Sequence, residues 1–99
     1  MQENGKELSL EEMLQKDVFL VDVRTPGEFM AGSAEGAINI PLDELPDRIE
    51  EFEGKENIVV FCRSGARSEH AKEILKHHGI ENVVNGINTD RILKARNGK

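Results

Sequence analysis

The chain holds a single cysteine, and the residues around it offer the most chemistry. Ile58-Val59-Val60-Phe61 is a short apolar run that ends at Cys62, and Arg63-Ser64-Gly65-Ala66-Arg67-Ser68 follows. The pattern reads as a strand, then a loop from Cys62 to Arg67, then the opening of a helix. A thiol at the carboxyl end of a strand, under a helix amino end and between two arginines, sits where a thiolate is stabilised. Ser64, Gly65 and Ala66 are small, so the loop can curl and aim several backbone N–H groups at one point. Such a nest binds anions. The expected chemistry is nucleophilic attack by Cys62 on an anionic substrate. A lone cysteine is more often an inert core filler, but a filler gains nothing from this loop.

The two arginines divide by position. Arg67 lies four residues before Ala71 and eight before Leu75, near the buried face of the coming helix. A buried guanidinium needs a carboxylate. Asp22, inside the apolar run Val18 to Val23, has the complementary need, and Glu28 is a second candidate. Arg67 is therefore expected to be held by one or both, bracing the loop from beneath. Arg63 is expected to face the mouth and meet the substrate.

The elements that must position these groups follow from pattern. Ser9-Leu10-Glu11-Glu12 is a capping box, and Leu10, Met13 and Leu14 mark a short helix. Val18 to Val23 reads as a buried strand. Thr25-Pro26-Gly27 turns into a short helix around Glu28 to Met30, and Gly32 ends it. Ile38-Asn39-Ile40 is a brief strand stopped by Pro41. Leu42, Leu45, Ile49 and Phe52 recur at helical spacing, with Asp43 as the expected cap and Pro46 in the first turn. Ile58 to Phe61 reads as a central strand. Arg67 to His78 reads as a helix with Ala71, Ile74, Leu75 and His78 on one face, closed by Gly79. Asn82-Val83-Val84 is a further strand, and Asn88 or Thr89 caps a last helix carrying Ile92 and Leu93. Strands alternating with helices predict an α/β domain, its central sheet mostly parallel and helices on both faces. In such sheets, sites gather beyond the carboxyl ends of the strands. Asp22 and Cys62 both fall at strand carboxyl ends.

The totals agree with a small soluble domain. Ninety-nine residues suggest one domain over 1–99, with polar tails at 1–7 and 97–99. The apolar fraction is 37% and the charged fraction 32%, which is globular rather than disordered. With no Trp or Tyr, the core rests on aliphatic residues and four Phe. A net charge of −6 argues against nucleic acid as a partner. One cysteine makes neither an intramolecular disulfide nor a multi-cysteine metal site. No run approaches a membrane span, and the polar amino end lacks a signal-peptide core. A cytoplasmic, reducing setting is expected. His77 and His78 are adjacent, point in different directions and make a poor chelate; with His70 they carry no metal expectation. The helix carboxyl dipole is the better partner for the pair.

Three segments, taken in order, resemble the rhodanese family in its single-domain form. Val21-Asp22-Val23-Arg24-Thr25-Pro26-Gly27-Glu28-Phe29 is similar to the family's early Asp-Val-Arg segment. Gly36-Ala37-Ile38-Asn39-Ile40-Pro41 resembles its Gly-Ala-x-Asn-Ile-Pro segment, and Cys62 to Ser68 resembles its active loop. The resemblance covers about Ser9 to Val84 and implies a small rhodanese-like α/β fold. It implies a sulfurtransferase that works without a cofactor or metal. Cys62 would take a sulfane sulfur from thiosulfate, a polysulfide or a persulfide, and backbone N–H groups from about Arg63 through Ser64, Gly65 and Ala66 to Arg67 would hold it. Cyanide, a thiol or a protein sulfur acceptor would remove it. Two segments depart from the family. Gly32-Ser33-Ala34-Glu35-Gly36 stands where Gly-His-Ile-Pro-Gly is common, and Asn85-Gly86-Ile87-Asn88 where Gly-Gly and an aromatic are usual.

Two other functions compete. Cysteine enzymes that handle phosphate resemble one another in placing the arginine six positions after the cysteine. Here it is five, and the tighter loop suits a terminal sulfur better than a phosphatase or arsenate-reductase substrate. A non-catalytic rhodanese-like module that binds a partner is the other alternative; such modules often lack the cysteine that stands here.

Overall fold

The computed structural model describes residues 9–98. Its elements are α1 (Leu10–Leu14), β1 (Phe19–Asp22), α2 (Pro26–Met30), β2 (Ile38–Asn39), a 3₁₀ segment (Leu42–Phe52), β3 (Ile58–Cys62), α3 (Ala66–His77), β4 (Val83–Asn88) and α4 (Thr89–Gly98). The expected polar tail 1–7 lies outside the described residues. α4 continues through Gly98, so the tail expected from 97 is helical in its first two residues.

The four strands form one sheet in the order β2-β1-β3-β4, and every pairing is parallel. β3 is central, which is why all five of its residues are apolar and buried. Its side chains alternate between two cores. Ile58, Val60 and Cys62 face the side covered by α3 and the 3₁₀ segment, with Leu45, Phe52, Ala71 and Leu75. Val59 and Phe61 face α1 and α4, with Leu10, Met13, Ile92 and Ala95. The domain is thus α/β with helices on both faces of a parallel sheet.

Register brings the chemistry to one rim. Asp22 of β1 pairs with Phe61 of β3 and with Asn39 of β2, and Cys62 pairs with Asn88 of β4. The carboxyl ends of all four strands therefore finish nearly level.

The stretch from Leu42 to Phe52 departs from a regular α-helix. It is 3₁₀ and breaks at Arg48, whose φ of −127° is not helical. Pro46 lies inside it rather than in a first turn, because the segment begins at Leu42. Its missing N–H leaves the bond back to Leu42 unmade, and an α-helix does not propagate through that gap. Asp43 makes no cap; the cap position is Pro41, with no side-chain bond. The apolar spacing survives, and Leu45 and Phe52 are buried. In α3 the buried face carries Ser68, Ala71 and Leu75. His78 is exposed, and its Nδ1 lies 3.0 Å from the Ile74 carbonyl.

β4 runs four residues past the expected strand and carries a bulge. Val60 pairs with Asn85, but Phe61 pairs with Ile87, so Gly86 is the extra residue. Ile87 is the one non-glycine residue with positive φ among those described, at 73°. A β-branched residue there is strained. Gly86 is held by close approach: a Cβ would fall 2.8 Å from Val59 Cγ1 and 2.7 Å from Ile92 Cδ1. Both neighbours are fully buried. Gly86→Ala is expected to cost about 1–3 kcal/mol by overpacking, read from a urea melt. An unchanged midpoint would show that Ile92 moves aside freely.

Candidate active site

Cys62 closes β3 and is almost wholly buried, with 1% of its surface exposed. Gly65 turns the chain into α3 with φ 96°. A side chain there is strained, since the backbone is left-handed and a Cβ would meet Ile87 Cγ2 at 3.3 Å. Gly65 is the cap of a twelve-residue helix and offers no side chain to satisfy the first N–H groups. Those groups are orphans of the helix start. The cysteine sulfur takes two N–H bonds of this turn, accepting from the Gly65 N–H at 3.1 Å and from the Ser68 N–H at 3.4 Å. Ser68 Oγ lies 3.4 Å from the same sulfur. Burial pushes the Cys62 thiol up, but the Ser68 hydroxyl and the N–H groups of Ser68, Gly65 and Ser64 outweigh it. The net result holds the thiol below its ordinary value, so the thiolate forms more readily than on a free cysteine.

Arg67 meets Glu28 in a two-pronged pair. Nη1 donates to Oε1 at 2.8 Å and Nη2 to Oε2 at 3.1 Å. Glu28 reaches that position from the first turn of α2, where Thr25 and Glu28 form a reciprocal capping box. The Arg67 guanidinium, followed by the Thr25 N–H, holds the Glu28 carboxyl down at about 2. Because the folded value is depressed, the pair's stabilisation is complete above the ordinary carboxylate range near 4.5 and fades as pH falls toward about 2. The difference in Tm between wild type and Glu28→Gln is expected to be largest above that range and to close on acidification. A difference that stays constant with pH would contradict this.

Asp22 does not reach Arg67 as a hydrogen-bonding partner. Its carboxylate is fully buried and belongs to Arg24. Arg24 Nε donates to Oδ1 at 3.0 Å and to Oδ2 at 3.1 Å, Nη2 donates to Oδ2 at 2.7 Å, and the Arg24 N–H donates to Oδ1 at 3.0 Å. Ser33 Oγ adds a fourth donor group at 2.7 Å. Asp22 therefore fastens the chain after α2, and the bracing of Arg67 falls to Glu28 alone. The reason is proximity: residues two apart on an extended chain share a face. The departure segment that begins Gly32-Ser33 supplies part of this anchor, since the Gly32 carbonyl also accepts from Arg24 Nη2 at 2.6 Å.

Arg63 and Ser64 are exposed on the loop, Ala66 is exposed at the helix start, and Gly65 is buried beneath them. No carboxylate pairs with Arg63 among the described residues. Clefts of about 810 and 540 Å³ open elsewhere on the surface, and neither is lined by Cys62 or its loop.

Sequence reasoning passed over Ser68 and Asn85. Ser68 Oγ donates to Asn85 Oδ1 at 2.6 Å, and Asn85 Nδ2 donates to the Gly65 carbonyl at 3.0 Å. Ser68 was open to discovery, because it stands three and seven residues before Ala71 and Leu75 on the buried helix face. Asn85 arrives from another strand and carries no such signal.

Residues 7–87 match the model of the rhodanese-like domain. The chain is 39% identical over 83 residues to a sulfurtransferase of Allochromatium vinosum, covering 84% of this chain and 77% of that protein. It is 40% identical over 67 residues to a thiosulfate sulfurtransferase of Escherichia coli, covering 66% of this chain and 64% of the relative's length. A solved structure of a rhodanese with anions from E. coli superposes with a TM-score of 0.69 at 36% identity, covering 77% of this chain and 92% of the other. A cysteine cradled at a helix start, on a four-stranded parallel sheet, is thus found in a chain that belongs to the rhodanese-like domain family.

Proposed function

We propose that this domain transfers sulfane sulfur through a persulfide on Cys62. The observation that carries the reading is the convergence of the first N–H groups of α3 on one buried sulfur. In the first half-reaction the Cys62 thiolate attacks the outer sulfur of a donor such as thiosulfate. A new S–S bond forms, the donor's S–S bond breaks, and sulfite leaves with the electron pair. In the second, cyanide or a thiol attacks the outer sulfur, and the Cys62 thiolate is released. This is covalent catalysis with preorganised donors around the developing charge. In this reading the N–H groups from Arg63 through Ser64, Gly65 and Ala66 to Arg67 hold the outer sulfur. Arg63, exposed and without a carboxylate partner among the described residues, draws in the anionic donor. Glu28 holds Arg67 in place. The exposed loop residues Arg63, Ser64 and Ala66 suit a small anion or a sulfur acceptor presented on the surface of another protein.

The phosphatase or arsenate-reductase reading loses ground on one feature. Both prongs of Arg67 are occupied by Glu28, so its fork is not offered to a tetrahedral oxyanion. The cytoplasmic setting remains part of the proposal; among the described residues no helix is long and apolar enough to cross a membrane. The test is intact-mass measurement after incubation with thiosulfate or a polysulfide. One added sulfur is expected, and cyanide should remove it. No adduct with any sulfane donor would overturn the proposal.

A further inference from the structure

Among the described residues one hydroxyl touches the Cys62 sulfur, and its hydrogen serves one acceptor at a time. Ser68 is fully buried. Its Oγ lies 2.6 Å from Asn85 Oδ1, 3.2 Å from the Gly65 carbonyl and 3.4 Å from Cys62 Sγ. The Gly65 carbonyl already accepts from the Glu69 N–H at 2.9 Å and from Asn85 Nδ2 at 3.0 Å. Both of its lone pairs are taken. The contest is between Asn85 Oδ1 and the sulfur.

The amide cannot turn over to remove that contest. Asn85 Oδ1 accepts from the Ile87 N–H at 2.9 Å, while Nδ2 donates to the Gly65 carbonyl and, at 3.1 Å, to Glu69 Oε1. Reversal would set an NH₂ against an N–H and an oxygen against a carbonyl and a carboxylate. Ser68 is therefore the donor across the 2.6 Å contact. The left-handed backbone at Ile87 accompanies the bond that pins the amide.

We infer that Asn85 is a positioning residue that sets the reactivity of Cys62 by competing with its sulfur for the single hydrogen of Ser68. As a thiol, Cys62 donates S–H to Ser68 Oγ, and Ser68 donates to Asn85. As a thiolate it has no hydrogen, and Ser68 turns to it only by leaving Asn85 Oδ1 to the Ile87 N–H. The next two steps rest on the sulfur-transfer reading. In the persulfide the charge lies on the outer sulfur, and the Ser68 hydrogen returns to Asn85. When an acceptor removes that sulfur, the S–S electron pair stays on Cys62, and the hydrogen swings back to the leaving thiolate. Asn85 thus restrains the thiolate and Ser68 follows its charge.

The experiment is the pH dependence of Cys62 alkylation by iodoacetamide in the full chain, which needs no sulfur donor. The charged groups around the sulfur are Arg63 beside it in the loop, Arg67 and Glu69 on α3, Glu28 on α2, and Asp22 with Arg24 at the end of β1; β4 brings none. A His70→Gln background removes the imidazole near the amino end of α3, and His77 lies at the far end of that helix. Asn85→Ala is expected to move the alkylation curve to lower pH and raise the rate on its acid limb about 3-fold or more. Asn85→Asp presents a stronger acceptor and should move the curve the other way. A merely structural role, or the added charge of the aspartate alone, would give shifts that Ser68→Ala leaves unchanged. In a Ser68→Ala background, Asn85→Ala should leave the curve in place. A curve that Asn85→Ala leaves unmoved or raises, or a shift that persists without Ser68, would overturn the inference. Should Asn85→Ala not fold, the part of the Asn85→Asp shift that Ser68→Ala removes carries the test, and no such part would overturn the inference. Failure to find a persulfide would end the sulfur-transfer reading and leave the alkylation result standing.

Discussion

Cys62→Ser is expected to abolish sulfur loading while the fold persists. The variant should show no mass increase with thiosulfate or polysulfide, and thiocyanate formation should fall to the uncatalysed rate. The hydroxyl is a far weaker nucleophile, because the nest that favours a thiolate cannot bring a serine near ionisation. The structural cost is small by comparison. A serine oxygen still accepts from the Gly65 and Ser68 N–H groups that now reach the sulfur. Replacing one hydrogen-bonded group by another of similar shape changes stability by about 1 kcal/mol. Activity and Tm should therefore separate. Residual cyanide-removable sulfur on the serine variant would place the chemistry on another residue.

Asp22→Ala should have the largest effect on stability. The carboxylate is fully buried and satisfies three groups of Arg24 as well as the Ser33 hydroxyl. Its removal strands a guanidinium that is only 12% exposed, with the Gly32 carbonyl as its remaining partner. Breaking a buried pair from one side costs about 3–5 kcal/mol. A small domain holds about 5–15 kcal/mol in all, so the urea midpoint should fall by a large fraction. Asp22→Asn keeps one acceptor oxygen and should lie between. A loss below about 1 kcal/mol for Asp22→Ala would mean that water replaces the carboxylate at Arg24. Because Asp22 anchors the chain beside α2, the same variant should also loosen Glu28 and with it Arg67.

The sheet and the cysteine loop were legible in the sequence for a physical reason. β3 is buried on both sides, so its apolar run needs no alternation to be recognised, and small residues between two arginines mark a tight turn. The Glu28 half of the Arg67 brace was legible in the same way, as a carboxylate near a helix start. The Arg24 partnership was within reach, since Asp22 and Arg24 lie two apart on an extended chain. The 3₁₀ stretch was not legible from apolar spacing, because intervals of three and four suit both helix types; Pro46 was the deciding residue. The Asn85 amide could not be reached from local pattern at all. It is 17 residues from Ser68, and only the pairing of β4 with β3 brings them together.

The bulge in β4 has a consequence outside the active site. Among the described residues β4 and β2 are the two margins of the sheet, where unpaired backbone invites another chain to add itself. β2 is only two residues long, and Pro41 follows close behind it. On the other margin, the extra residue Gly86 and the left-handed Ile87 break the line of β4 after Asn85. Neither border offers a straight template of useful length. The same kink that holds an amide over the cysteine loop therefore guards the domain against edge-to-edge aggregation.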